Sequence, residues 1–200
     1  MTVNRRAFLH RSVAVASLLG QMTAASAAWS ADSKDASSAA DGRKDFDFFL
    51  GHWRVAAKRL RHHFIGDQTW EPVSGSTRVF PILQGAGNMD EDEFQLPGQV
   101  YIGGMLRLFD AKQNLWTTYG LDRDSGAVQP PQTGRFEGGR GEFFGNDEEA
   151  GRPIRVRHLY LKITPTACRW EQAFSADAGA SWETNWVIDF TRLPSSHKHS

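Results

Sequence analysis

Several side chains capable of chemistry sit inside short alternating runs rather than in loops. Between Ile154 and Ile163, Arg155 and Arg157 share one strand face with Leu159 and Leu161, while Val156, His158 and Tyr160 share the other. In the run Trp182–Thr191, Trp182, Thr184, Trp186, Ile188 and Phe190 alternate with Glu183, Asn185, Val187 and Asp189. Either face mixes apolar and polar groups, as the wall of a ligand pocket does. An inward arginine needs a carboxylate, because burying a lone charge is prohibitive, and Glu142, Glu171 and Asp189 are the carboxylates on neighbouring runs.

The acidic run Asp90-Glu91-Asp92-Glu93 puts carboxylates on both faces of any strand it joins. Two inward carboxylates repel and raise one another's pKa, so this strand is expected to overhang a rim in water. A hard-cation site or general base at the mouth is the alternative, with Asn88 as a hydrogen-bond donor beside it. His62-His63 and His197-x-His199 lack a third ligand at usable spacing, so no metal site is expected. Cys168, the single cysteine, excludes an internal disulfide and reads as a small hydrophobe in a strand. The chain has no phosphate-binding glycine loop before a helix, no Gly-x-Ser-x-Gly elbow and no paired-cysteine metal signature.

The elements that must position these residues are strands. Runs at 52–61, 69–83, 87–94, 99–109, 115–121, 134–144, 154–163, 167–176 and 182–191 are separated by turn signals such as Asp110–Asn114 and Asp177–Ala180, and no helical spacing competes. The second run is interrupted by Pro72, Gly75 and Pro81. A meander of nine or ten strands either stacks or closes, and closure removes exposed edges, so the expected fold is an all-β, antiparallel up-and-down barrel of about 8–10 strands. Phe46–Trp53 precedes the first strand and is expected to form a short helical turn closing one end.

Thirteen Phe, seven Trp and three Tyr suit half-buried pleated surfaces. Charge is balanced at 23 Lys+Arg against 23 Asp+Glu, and three of the arginines lie in residues 1–27, which hold no acid. Without that segment the balance is 20 against 23, net −3, which argues against nucleic acid as a partner. Residues 4–10 resemble the twin-arginine export signature, an apolar run follows from Val13 to Gly20, and Ala25-Ser26-Ala27 offers a cleavage site. The run is too short for a permanent membrane span. The expected organisation is a signal peptide at 1–27, a disordered linker at 28–44, a barrel at 45–193 and a disordered tail at 194–200. The expected address is the periplasm or the exterior.

Phe48–Trp53 followed by a strand resembles the Gly-x-Trp opening of the calycin barrels, the lipocalins and their relatives. In lipocalins an Arg after the last strand packs across that Trp. The resemblance implies that Trp53 and Arg192 close the barrel here, through a cation–π contact of about 0.5–2 kcal/mol. The stretches "GNMDEDEF" at 87–94, "GRFEGGRGEFFG" at 134–145, "GRPIRVR" at 151–157, "RWEQAFS" at 169–175 and "WETNWVIDFTR" at 182–192 are similar to an uncharacterised bacterial calycin-like family of unknown function. The haem-binding nitrobindin group also opens with a Leu-Gly-x-Trp-like element and ligates iron with a His. No matching His is placed here, the candidates being His52, His158 and the tail histidines.

A barrel of this size can hold a small ligand. The expected function is binding of a small, partly apolar molecule with polar or anionic groups in an aromatic cavity. Candidate lining residues are Asn88, Tyr101, Trp116, Tyr119, Arg155, Arg157, Trp170, Gln172, Asn185 and Asp189. The alternative is an enzyme using the same cavity, with His158, Asp189 or Glu171 as acid/base and Tyr160 or Tyr119 as donor. No cofactor is expected, haem being the possible exception. A homodimer is a further possibility, and a purely structural module is the remaining reading.

Overall fold

A computed structural model of the chain describes residues 41–194. The expected signal peptide, the expected linker up to residue 40 and the expected tail beyond 194 lie outside the described residues. Ten antiparallel strands close into one barrel: β1 (Gly51–Leu60), β2 (Trp70–Ile82), β3 (Gly87–Leu96), β4 (Gln99–Asp110), β5 (Leu115–Asp122), β6 (Gln132–Glu137), β7 (Arg140–Glu149), β8 (Arg152–Leu161), β9 (Ala167–Ser175) and β10 (Glu183–Arg192). Each strand pairs with its sequence neighbours, and β1 pairs with β10. The up-and-down topology is therefore the one expected. Among the described residues no helix is long and apolar enough to cross a membrane.

Two runs differ from expectation. The stretch read as one strand at 134–144 is a hairpin, because Glu137 pairs with Arg140 across Gly138-Gly139. Both glycines have positive φ, 57° and 77°, the conformation a two-residue hairpin turn requires. Conversely, β2 runs unbroken through Pro72, Gly75 and Pro81. Pro72 lies opposite Lys58 and Pro81 opposite Asn88, near the two ends of the strand.

One end is plugged from the N-terminal side. Two 3-10 turns, Gly42–Lys44 and Asp47–Phe49, precede β1. Phe46 and Phe49 are fully buried, and Phe46 meets Trp116, Phe136 and Tyr160 edge-on with ring centroids 4.9–5.0 Å apart. Residues 41–44, before the barrel boundary expected at 45, also pack here. Gly42 is buried, its carbonyl accepts from Trp116 Nε1 at 2.9 Å, and its N–H donates to Asn114 Oδ1 at 3.0 Å.

Trp53 and Arg192 are register partners on β1 and β10. The Arg192 guanidinium carbon stands 4.1 Å from the centre of the Trp53 ring. The same guanidinium donates to the carbonyls of Phe48 and Leu50, and at 2.7 Å to that of Pro165. Trp53 Nε1 in turn donates to Phe49 O at 2.7 Å. One arginine thus ties the plug, the first strand and the loop before β9 together.

Candidate functional site

Above the plug, the first inward layer carries a charge. Arg107 on β4 is 2% exposed. Its Nη2 lies 2.6 Å from Asp90 Oδ2, its Nη1 donates to Asn88 Oδ1 at 3.0 Å, and its Nε donates to the Tyr160 hydroxyl at 3.2 Å. The guanidinium carbon is 5.2 Å from the centres of both the Phe46 and Phe49 rings. Burial disfavours its charge, but Asp90 and Tyr160 more than offset that, and its pKa rises. Asp90 also accepts from the backbone N–H of Met105. Strands β3 and β4 meet closely here: a Cβ on Gly104 would stand 2.1 Å from Asp90 O, so the position requires glycine.

This ion pair corrects the expectation that the acidic run overhangs the rim. Asp90 and Asp92 both face inward and line the cavity, while Glu91 and Glu93 are exposed. Arg107 is what makes the inward placement affordable, and it was not among the expected site residues. The signal was present in the sequence: Arg107 is the single charge between Gln99 and Phe109, in a strand otherwise apolar or small. Asp92 accepts from Thr77 Oγ1 at 2.6 Å. Burial, and then repulsion from Asp90, raise its pKa well above the usual carboxylate range and favour the protonated form.

The cavity between the plug and the far end has a volume of about 260 Å³. Phe49, Tyr160 and Phe190 form its floor side, and Phe94, Tyr101, Trp170, Phe174 and Trp186 contribute aromatic wall. Tyr101 donates to Leu121 O at 3.3 Å, and burial first, then Asp92, push its hydroxyl up to about 12. Strands β5 and β6 pair only over Trp116–Thr118 and Gln132–Gly134. Beyond that the segment before β6 keeps contact with β5, Gln129 N–H donating to Gly120 O at 2.8 Å and Leu121 bridging Val128, and Gly120, Leu121, Asp122 and Gln129 line the cavity.

Across the barrel from β3 and β4, a row of neutral polar groups runs over β8, β9 and β10. His158 Nε2 is 3.1 Å from Gln172 Oε1, and Gln172 Nε2 donates to Asn185 Oδ1 at 3.0 Å. A register shift between Thr184 and Trp186 makes a bulge at Asn185. The bulge resets the alternation, so Asn185 reaches Gln172 while Trp186, Ile188 and Phe190 line the cavity. His158 Nδ1, Asn185 Nδ2, Trp170 Nε1 and Trp186 Nε1 are buried and have no hydrogen-bond partner. Burial holds the His158 pKa down at about 4, against a smaller opposing effect of the Gln172 hydrogen bond, so the imidazole is neutral.

Of the sequence-derived candidates, Tyr101, Trp170 and Gln172 line the cavity. Asn88 and Asn185 are buried in the two networks that border it. Trp116 belongs to the plug end instead. Tyr119 lies on β5 between inward Thr118 and Gly120, outside the lining. Arg155 and Arg157 are on the outer face, over Phe144 at 5.7 Å and Trp182 at 4.7 Å. Asp189 is also outside, held by Arg169 at 2.7 and 2.8 Å. The outward arginines follow from strand alternation, since His158 and Tyr160 take the inner face of β8. Glu142 and Glu171 likewise pair outside, with Arg140 at 3.0 Å and Arg169 at 3.8 Å.

Of the groups considered for acid/base chemistry, His158 and Tyr160 share the cavity, and the Tyr160 hydroxyl is already engaged by Arg107. His63 pairs with Glu149 at 2.7 Å. Among the described residues no cluster of three or more His, Cys, Asp or Glu could hold a metal. Cys168 is buried, and that burial raises its thiol to about 12, which leaves it unreactive.

The fold and site define a closed ten-strand antiparallel barrel with an internal cavity, one wall acidic around a buried ion pair and the other neutral and aromatic. The chain is similar in fold to an S-type phycobiliprotein lyase from Guillardia theta, with a TM-score of 0.51 and 13% sequence identity over 76% of this chain and 92% of that one. No protein-family model matches the chain, and no curated protein matches it.

Proposed function

We propose that this protein binds a small, partly apolar molecule inside the barrel, the polar part of that molecule meeting the row on β8–β10. The observation that carries this reading is the 260 Å³ cavity itself, walled by Phe94, Tyr101, Trp170, Phe174 and Trp186 and lined on one side by the polar His158 and Gln172. Apolar and aromatic walls with a few polar groups that fix orientation are the lining a small-ligand site uses. The fold likeness to a lyase that serves phycobiliproteins is compatible with this reading but carries no ligand at 13% identity. The twin-arginine signature supports a place of action outside the cytoplasm.

Native mass spectrometry of the protein purified from its own host tests the proposal. A bound mass that disappears on denaturation is the expected result, and a chain that shows only its own mass and quenches no tryptophan fluorescence with any small aromatic solute overturns it. Haem is disfavoured by the site itself. Among the described residues His158 is the only histidine lining the cavity, its Nε2 faces Gln172, and its ring lies 4.8 Å from that of Trp170. Addition of haem is accordingly expected to give no protein-bound Soret band.

A further inference from the structure

Asp92 and Phe94 are successive inward residues of β3, and both line the cavity. Across the sheet Asp92 stands opposite Gly103 and Phe94 opposite Tyr101. Gly103 has no side chain to fill its space, and Tyr101 leans into it: a Cβ on Gly103 would run into the Tyr101 hydroxyl. The hydroxyl therefore lies on the Asp92 side of the cavity, and after burial Asp92 is the strongest influence raising its pKa. Its one proton is given to Leu121 O at 3.3 Å, so its oxygen is left as an acceptor. Asp92 receives one hydrogen bond, from Thr77 Oγ1 to Oδ1 at 2.6 Å. Arg107 does not answer it, because its Nη1, Nη2 and Nε are placed on Asn88, Asp90 and Tyr160. Among the described residues Arg107 is the only Lys or Arg lining the cavity, against Asp90, Asp92, Asp122 and Asp147.

We infer that Asp92, the Tyr101 hydroxyl and the Phe94 ring form a seat for a protonated amine carried on an aromatic ligand. The inference rests on the small-ligand reading above and names a charged group of that ligand, held on β3 and β4 across the barrel from His158 and Gln172. The ammonium donates to the Asp92 carboxylate and the Tyr101 oxygen, in a cavity whose aromatic rings also favour a cation. The aromatic body continues along the wall, where Phe94 lies 5.9 Å from Tyr101 and 6.3 Å from Trp186, and Trp186 lies 6.2 Å from Trp170. A ligand carboxylate would instead face Asp90 and Asp92 with Arg107 already spent. A neutral alcohol keeps one hydrogen bond and forgoes the ion pair. In the free protein burial and Asp90 hold the Asp92 carboxyl protonated, while the Thr77 hydroxyl and Arg107 favour its ionised form. The arriving ammonium tips that balance: the carboxyl proton leaves to solvent, and the ammonium takes its place as counter-charge.

Three probes with one aromatic body decide the matter when titrated into the full chain by calorimetry at pH 6: 2-naphthylmethylamine, 2-naphthylmethanol and 2-naphthoate. The amine is expected to bind at least about tenfold more tightly than either of the others, since a charge-assisted hydrogen bond is the stronger kind. Repeating the titration in two buffers of different ionisation enthalpy is expected to show proton release with the amine alone. Asp92→Asn keeps the shape and the Thr77 contact but removes the charge. In that variant the preference is expected to fall to about twofold or less and the proton release to vanish, with melting temperature reporting that the barrel is intact. Equal binding of the amine and the alcohol, tighter binding of 2-naphthoate, or a preference or proton release that survives in Asp92→Asn overturns the ammonium seat while leaving the cavity reading intact. If none of the three binds, the seat is overturned, and the cavity reading is then decided by the native mass spectrum.

Discussion

At the scale of single residues, Arg107 and Asp90 hold the interior together because each is tolerable only with the other. Arg107→Met strands a buried carboxylate and is expected to cost about 3–5 kcal/mol in urea unfolding, with a large part recovered by adding Asp90→Asn. Asp92 behaves oppositely, since its folded-state pKa is raised. Unfolding then releases a proton once the pH exceeds the ordinary carboxyl range, so the group subtracts stability as pH rises from there toward its folded value. Asp92→Asn is expected to melt higher than the parent at neutral pH and to lose that advantage near pH 3. His158 gives an acid effect. With a folded value of about 4 against an ordinary 6.5, its contribution is complete above the ordinary value and falls by about 3 kcal/mol as pH drops from 6.5 to 4. A replacement such as His158→Gln is expected to flatten that limb of the stability–pH curve.

Elements divide into those visible in the pattern and those set by geometry. Most strand positions and the plug before β1 were legible because alternation and an apolar run ahead of the first strand are local features, whereas the pairing of Trp53 with Arg192 was expected only through the likeness to lipocalins. The split between β6 and β7 was also written in the chain, as Gly138-Gly139, and was missed by reading through the pair as strand interior. The bulge at Asn185 was not legible. A single extra residue exchanges the two faces of a strand, and nothing local to Thr184–Trp186 announces it. The plug gives the prediction at this scale. Trp53→Ala removes a fully buried indole that holds Phe49 O and underlies Arg192, and is expected to cost about 3–5 kcal/mol, read from the shift in denaturation midpoint.

For the whole molecule, closure of ten strands supplies a rigid wall on which two unlike networks face each other across the cavity. Binding there couples to global unfolding, because the site draws on β3, β4, β8, β9 and β10 and exists only in the closed barrel. A ligand present at about 100 times its Kd is expected to add about 2.7 kcal/mol to unfolding stability, raising the single melting transition rather than creating a second one. Differential scanning calorimetry with and without a small aromatic solute that quenches the tryptophan fluorescence checks this.

The amino-acid sequence alone determined that this chain is an antiparallel barrel, where most of its strands run, and that polar groups are threaded through apolar strands. These are consequences of residue type and spacing along one strand. Only the tertiary structure decided which of those groups face inward. Arg155, Arg157 and Asp189 went outside, while Arg107, Asp90 and Asp92 went in. The physical reason is that a strand's two faces are equivalent until a partner strand supplies the counter-charge. The partner for Arg107 lies 17 residues away on β3, reached only when the sheet is assembled.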